Sequence, residues 1–311
     1  MFVFGGIDPE RSAEPGLLRF DTASGKVDIV AVSGERPNAI AKPALVYDAK
    51  RDALFLFGGW ARGAKVPDGK LWTLALGTET PAWRLVSESG PPARNGCVMV
   101  LDSKRDRLLV HGGDGGPHPE MGFTPLDDLW SYDLAAERWT QLTPTGDVPS
   151  PRWNHSGAID DACNKLYIFG GAGYTSSAMV VENDVYELDL AATAWRKLPH
   201  TSPAPTPVQG ATLTHDPVHK VLVLVGGVSL AEKGPPGTKS VWVFDLDQNR
   251  WTETPDVIRI PRREHTAIYD ARSKQHLIYG GEHVAWRGDF YARGNPLRNA
   301  LLIALEATDR N

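Results

Sequence analysis

The run Leu-Tyr-Ile-Phe-Gly-Gly at residues 166–171 decides how this chain folds, because it is one of six. FVFGG (2–6), LFLFGG (54–59), LLVHGG (108–113), VLVLVGG (221–227) and LIYGG (277–281) repeat its form, with the glycine pairs 53, 54, 58, 56 and 54 residues apart. Each run is too short and too rich in β-branched and aromatic residues for a helix, so it reads as a strand ending at a diglycine. A glycine pair at a strand end points to a bend or close approach that a Cβ would block.

Other signals keep phase with the glycines. A second apolar run follows each pair: LLRFD (17–21), LWTLAL (71–76), LWSYDL (129–134), VYELDL (185–190), VWVFDL (241–246) and ALLIAL (300–305). Six residues after Asp133, Asp189 and Asp245 stand Trp139, Trp195 and Trp251, and Trp83 holds that place in the second unit after a longer turn. A Pro-rich loop then leads to a strand ending in Asp, as in PALVYD, CVMVLD and HTAIYD. Each unit therefore has four strands, A to D, with the diglycine closing B. The units run over approximately 1–40, 41–90, 91–148, 149–205, 206–258 and 259–311, within a single domain of 311 residues. One such sheet cannot bury both faces alone, so the units must stack, the tryptophan filling the wedge between neighbours.

A diglycine after an apolar strand, an aromatic-Asp pair downstream and a tryptophan six residues later resemble the kelch repeat, over nearly the whole chain. The resemblance implies an all-β, six-bladed kelch-type β-propeller of four-stranded antiparallel blades, akin to the central domain of galactose oxidase. The first and last blades are expected to be incomplete: the first begins in strand B, and the chain stops where the last strand D would start, near Arg310. We expect from this a chain shortened at its start.

Composition narrows the partners. Net charge is −5, from 33 basic and 38 acidic residues, which argues against nucleic acid or an anionic membrane held by charge. Two cysteines exclude a disulfide scaffold and a Cys-rich zinc module. No apolar run is long enough for a membrane helix. No signal peptide is legible, so a complete chain would be cytoplasmic. We expect a monomer without cofactor or bound metal.

Strand direction sorts the loops: A–B and C–D turns, short and charged, share one face, and the longer B–C and D–A loops share the other. Binding usually resides on long irregular loops. Three tryptophans outside the repeat positions, Trp60, Trp153 and Trp286, all fall on that face, with Arg62 and Arg287 close by in sequence. The D–A loops end in PPARNGC (91–97), PSPRWNH (149–155) and IPRREHT (260–266), aligning Arg94, Arg152 and Arg262, of which Arg94 and Arg152 are candidate binding residues. His155 and His265 read as structural parts of the repeat. Trp153, Asn154, Arg263 and Glu264 vary between copies, with Lys42 and Gln209 nearby in other units, and read as a polar ring suited to an acidic peptide or a polar or anionic small ligand.

The family includes enzymes. Copper-radical oxidases need a cross-linked Cys and Tyr with two His, a pattern absent around Cys97 and Cys163. Iron-dependent specifier proteins need a Glu-xxx-Asp-xxx-His run, also absent. A mutarotase-like site for acidic sugars asks only for an acid–base group and an arginine, for which Glu264 and Arg263 are candidates. The leading expectation is a non-catalytic module binding a protein or peptide on the B–C/D–A face. The alternative is an enzyme or binder for a small acidic sugar at the channel mouth.

Overall fold

The computed structural model describes residues 1–6, 16–61, 63–120, 122–176, 178–200, 203–229, 238–287, 290–296 and 300–305, with 39–40, 283–287 and 290–296 placed in backbone only. Arg62 and the expected strand near Arg310 lie outside the described residues. Trp286 and Arg287 fall in the strand Glu282–Arg287, where only the backbone is described.

Each diglycine run forms one strand of its own antiparallel sheet, in the order A-B-C-D. Repeat 2 is Ala44–Asp48, Ala53–Phe57, Leu71–Ala75 and Trp83–Ser87. Repeat 3 is Val98–Asp102, Arg107–Asp114, Pro125–Asp133 and Arg138–Leu142. Repeat 4 is Ser156–Asp160, Lys165–Phe169, Val185–Asp189 and Ala194–Leu198. Repeat 5 is Thr212–Asp216, Val221–Val225, Val241–Asp245 and Arg250–Thr254. Repeat 1 has only B, C and D (Phe2–Phe4, Leu17–Phe20, Val27–Val30). Repeat 6 shows A, B and C (Thr266–Asp270, Gln275–Tyr279, Ala300–Ala304) among the described residues.

Two features depart from the sequence reading. Repeat 4 gains a fifth strand, because Thr145–Gly146 pairs in parallel with Ala194–Leu198. The B–C loops are also less irregular than expected. Ala172–Tyr174 pairs with Met179–Val181, Trp60–Ala61 with Ala39–Ala41, and Glu282–Arg287 with Phe290–Pro296. These short ladders satisfy backbone groups that a longer loop would otherwise leave to water.

By internal contacts the chain divides into two compact units. The first is Met1–Asn154 with Gly173–Ala178 and Ala191–Trp195; the second is His155–Ala172, Met179–Leu190 and Arg196–Asn311. In both, strand B is the spine. Ala53–Phe57 and Val221–Val225 are buried at every residue, as continuous apolar runs covered on both faces must be. Strand D is mostly solvated: in Arg250–Thr254 only Trp251 is buried.

That tryptophan does the same work in each copy. In the first unit Trp83 packs edge-on against Phe4 at 5.3 Å, Trp139 against Phe57 at 5.4 Å, and Trp195 against His111 at 5.1 Å. In the second, Trp251 meets Phe169 at 5.3 Å. Each ring therefore lies on the last strand-B side chain of the preceding repeat. The Asp closing strand A caps its turn: Asp48, Asp102, Asp160, Asp216 and Asp270 each accept a backbone N–H two or three residues on.

Candidate functional site

The loop end of each sheet is built around the diglycine. Gly58 and Gly59 take φ of 67° and 99°, and the other described pairs are similar. The second glycine donates its N–H to a carbonyl of the next repeat. In the first unit these bonds are Gly59 to Arg94 at 2.9 Å and Gly113 to Arg152 at 2.8 Å. In the second they are Gly171 to Val208 at 3.0 Å and Gly227 to Arg262 at 2.9 Å. A Cβ on Gly58 or Gly226 would sit on the oxygen of Arg94 or Arg262. The diglycine is thus the docking point of the next repeat's arginine segment.

Two residues past that carbonyl comes a left-handed residue in every copy: Lys42, Gly96, Asn154, Gly210 and Glu264, with φ between 51° and 67°. Their backbones link in sequence. Gly96 donates to Lys42 O and Asn154 to Gly96 O in the first unit, and Glu264 donates to Gly210 O in the second. Asn154, Glu264 and Lys42 differ in side chain but share this backbone conformation, which constrains side-chain type only weakly here.

Arg94, Arg152 and Arg262 are all buried. Arg94 donates Nη1 to Gly112 O at 2.9 Å, Nε to Pro92 O at 2.9 Å and Nη2 to Asp128 Oδ2 at 2.8 Å. Arg152 donates to Ser150 through Nε and Nη2, and Arg262 donates to Gly280 O at 3.1 Å. These guanidinium groups are engaged inside the fold and frame the loops from beneath. Burial works to raise the Asp128 carboxyl, yet the Arg94 bonds and charge hold it below the usual carboxylate value. Asp128→Ala leaves the Arg94 charge enclosed without its partner, and urea unfolding should show a loss of about 3 kcal/mol. Asp128→Asn, which keeps an acceptor, should lose less.

His265 is buried, its Nε2 2.8 Å from Thr212 Oγ1 on the preceding repeat, and burial with the nearby Arg262 pulls its pKa down to about 3. It is a neutral structural side chain, as its place in the repeat implied. Cys97 is pushed up to about 11 by burial, which keeps it a thiol. Among the described residues no group of three or more His, Cys, Asp or Glu is arranged to hold a metal ion.

Above this frame the first unit carries an ordered loop layer. Asp114, buried after the third diglycine, accepts the backbone N–H groups of Gly116 and Thr124 at 3.0 Å and the Asn95 amide at 3.1 Å. The loop between them presents Phe123, which stacks on Trp153 at 5.1 Å, and Trp153 in turn meets Tyr174 at 5.5 Å. Trp153 is only 4% exposed, whereas Phe123 is 43% exposed. The outward ring is therefore Phe123, with Trp153 as its backing. Trp60 is half-buried and donates Nε1 to Ala64 O at 3.0 Å, fixing its own loop. In the second unit Arg263 spends Nε and Nη2 on Glu282 at 3.0 and 2.8 Å, and Glu264 is exposed. Phe123 and Tyr174 escaped the sequence reading because neither belongs to a repeat position or a motif.

A family profile for the KLHDC2/KLHL20/DRC7 Kelch-repeats domain matches residues 1–227 and 114–292. The chain belongs to the kelch-repeat family. Its relatives include the flagellar outer-arm dynein alpha chain of Chlamydomonas reinhardtii, 24% identical over 93% of this chain and 6% of that protein. The mouse protein Multiple epidermal growth factor-like domains protein 8 is 25% identical over 81% of this chain and 9% of its own length. Mei4-dependent protein 6 of Schizosaccharomyces pombe is 25% identical over 50% of this chain and 22% of its own. The chain thus spans less than a quarter of each of these relatives. Among solved structures, YjhT aligns over 94% of this chain and 89% of its own, with a TM-score of 0.69 at 16% identity, which shows the fold alone. The fold is a six-bladed kelch-type β-propeller, in general a protein-interaction scaffold. Among the described residues no helix is long and apolar enough to cross a membrane.

Proposed function

We propose that this kelch chain is a non-catalytic recognition module that takes a protein or peptide partner on its B–C and D–A loops. The observation that carries the reading is the Phe123–Trp153–Tyr174 stack, an outward aromatic backed by a buried one on a loop braced by Asp114. Exposed Val66, on the second repeat's B–C loop, adds apolar surface on the same side of the first unit. Rigid aromatic anchors supply contact area at low entropic cost. In this reading Trp60 extends the surface, and Arg94, Arg152 and Trp153 hold it in shape. Asn154 lies in the same region, while Arg263 and Glu264 belong to the corresponding loop of the second unit. The partner is neither nucleic acid nor membrane, and the chain acts as a monomer.

Peptides selected from a display library against the wild-type chain test this. Phe123→Asp should weaken the selected binders at least tenfold, and Ile29→Asp, on an exposed strand of repeat 1, should leave them unchanged. Binders indifferent to Phe123→Asp would remove the loop surface from the proposal. The alternative, a mutarotase-like site for an acidic sugar, draws on exposed Glu264 beside Arg263. A thermal shift with acidic monosaccharides that disappears in Glu264→Ala would replace the recognition reading with that one.

A further inference from the structure

Repeat 3 carries a polar pocket of about 340 Å³ on one face of its own sheet, within the first unit. Alternation along the strands decides which face this is. Tyr132 and Trp139 turn toward repeat 2, where Trp139 meets Phe57. Ser131 and Asp133 on strand C, with Thr140 and Arg138 opposite them on strand D, turn the other way, in register with Leu109 and Arg107 of strand B. At the diglycine end this second face is covered, because His111 packs on Trp195. Toward the A–B and C–D turns it is open, and the pocket lies there, lined by Arg105, Arg107, Ser131, Asp133, Arg138 and Thr140, with Leu142.

The pocket gathers positive charge. Asp102, buried, accepts Nη1 of Arg105 at 3.1 Å and Nε of Arg107 at 2.9 Å, which fixes both arginines in place. Arg138 is exposed and donates no hydrogen bond to the described residues. Asp133 spends Oδ1 on the backbone N–H groups of Ala135 and Ala136, at 2.9 and 2.7 Å. Three arginines against Asp102 and Asp133 leave one positive charge over. Arginine on both strand B and strand D of this row is particular to repeat 3 among the described residues. The strand-B position is Ala53 in repeat 2, Val221 in repeat 5 and Gln275 in repeat 6, and strand D of repeat 4 begins with Ala194.

The hydroxyls point to a ligand as well. Ser131 is 8% exposed, and its hydroxyl has no hydrogen-bond partner among the described residues. The oxygen is not sealed off: it keeps accessible surface, and the residue lines the pocket. Thr140, opposite it on strand D, is likewise without a partner among these residues. A largely buried polar group without a partner calls for one. Repeat 4 shows what the position can accept. Glu187, two residues before Asp189 as Ser131 is two before Asp133, takes Lys165 at 3.1 Å and Arg196 at 3.2 Å. There the anion is part of the chain; in repeat 3 the cations are present and the position holds a hydroxyl.

We propose that this pocket binds the phosphoryl group of a small phosphate monoester. Arg105 and Arg107 supply fixed charge, Arg138 closes on the oxygens, and Ser131 and Thr140 donate their hydroxyls. Three terminal oxygens can accept all of these, whereas a carboxylate offers two. Guanidinium groups suit phosphate geometry, and the volume is at the lower end for small-molecule sites. The site is separate from the loop surface and does not depend on it.

Titration of the full chain with glycerol 2-phosphate, followed by calorimetry and by thermal shift, tests the assignment. Saturable binding with a rise in Tm is expected for the wild type. Arg138→Gln should bind about tenfold more weakly or worse, with its unliganded Tm unchanged, because the side chain is exposed and donates no hydrogen bond. Ser131→Ala should bind severalfold more weakly, and Ser131→Glu, which sets a carboxylate where repeat 4 has Glu187, should abolish binding. Arg84→Gln, in repeat 2, should leave the affinity as it is. No saturation at millimolar probe, or equal affinity in Arg138→Gln, overturns the site. Equal affinity for glutarate overturns phosphate as its ligand class, and tighter binding of a phosphoserine peptide than of glycerol 2-phosphate overturns the small molecule as its source.

Discussion

Alanine at Gly113 is expected to cost the protein about 4 kcal/mol, and alanine at Gly6 about half as much or less. The two glycines share a φ of 106°, so the conformational penalty of an L side chain is common to both. Their surroundings differ. A Cβ on Gly113 would meet Asn95 O and Cys97 Cβ, each at 2.9 Å, whereas among the described residues nothing lies within 4 Å of a Cβ on Gly6. Asn95 and Cys97 lead into strand A of the same repeat as Gly113, and the bond from Gly113 N–H to Arg152 O holds the next repeat's segment close by. An added methyl must push that backbone away, at about 1–3 kcal/mol for overpacking beyond the φ term. Urea denaturation of both variants, compared at constant m-value, measures the difference. If the two lose the same stability, the close approach around Gly113 carries no cost and that glycine serves conformation only.

This contrast marks what could be read from the sequence and what could not. The spacing of six residues from Asp133 to Trp139 was enough to place an aromatic in the wedge, because a fixed turn fixes which face the ring takes, and the ring lies on Phe57. The glycine pairs announced a close approach, and the carbonyls of Arg94 and Arg262 supply it. Asn154 and Glu264 share with Lys42 and Gly96 a left-handed backbone position that leaves little trace in side-chain type. The engagement of Arg94 inside the fold was equally hidden. Its partner Asp128 is 34 residues away, and nothing local in PPARNGC shows that the charge is already matched. The loop aromatics were the least legible. Phe123 reaches Trp153 only after Asp114 has folded the intervening loop, a three-part arrangement with no periodic signature.

The histidines make the fold sensitive to acid well above the carboxylate range. His111 and His276 are fully buried and His265 nearly so. Burial, reinforced by the nearby Arg152, lowers His111 to about 3. His265 falls to about 3 by burial and the charge of Arg262. His276, whose Nδ1 lies 2.7 Å from Thr214 Oγ1, falls to about 4 through burial, against the pull of Asp216. In the unfolded chain each titrates near 6.5. Between 6.5 and these folded values the unfolded state therefore binds more protons, so stability is complete above pH 6.5 and declines as pH falls. The slope is on the order of 1 kcal/mol per pH unit for each ring, or roughly 6 kcal/mol across the three by pH 5. The paired carboxylates act lower: Asp106, held down by its bonds to Arg51, and Asp128, held down by Arg94, contribute above the normal aspartate value and fail only below it. Unfolding midpoints at pH 8, 6.5, 5.5 and 5 should thus be level at first and then drop steeply. His111→Phe isolates one contribution, since Phe57 and Phe169 occupy the same position against Trp139 and Trp251 in other repeats. That variant should match wild type at pH 8 and exceed it by about 2 kcal/mol at pH 5. A wild-type midpoint that stays flat to pH 5 would mean these rings are protonated in the folded protein, and the neutral, buried state assigned to them would have to be abandoned.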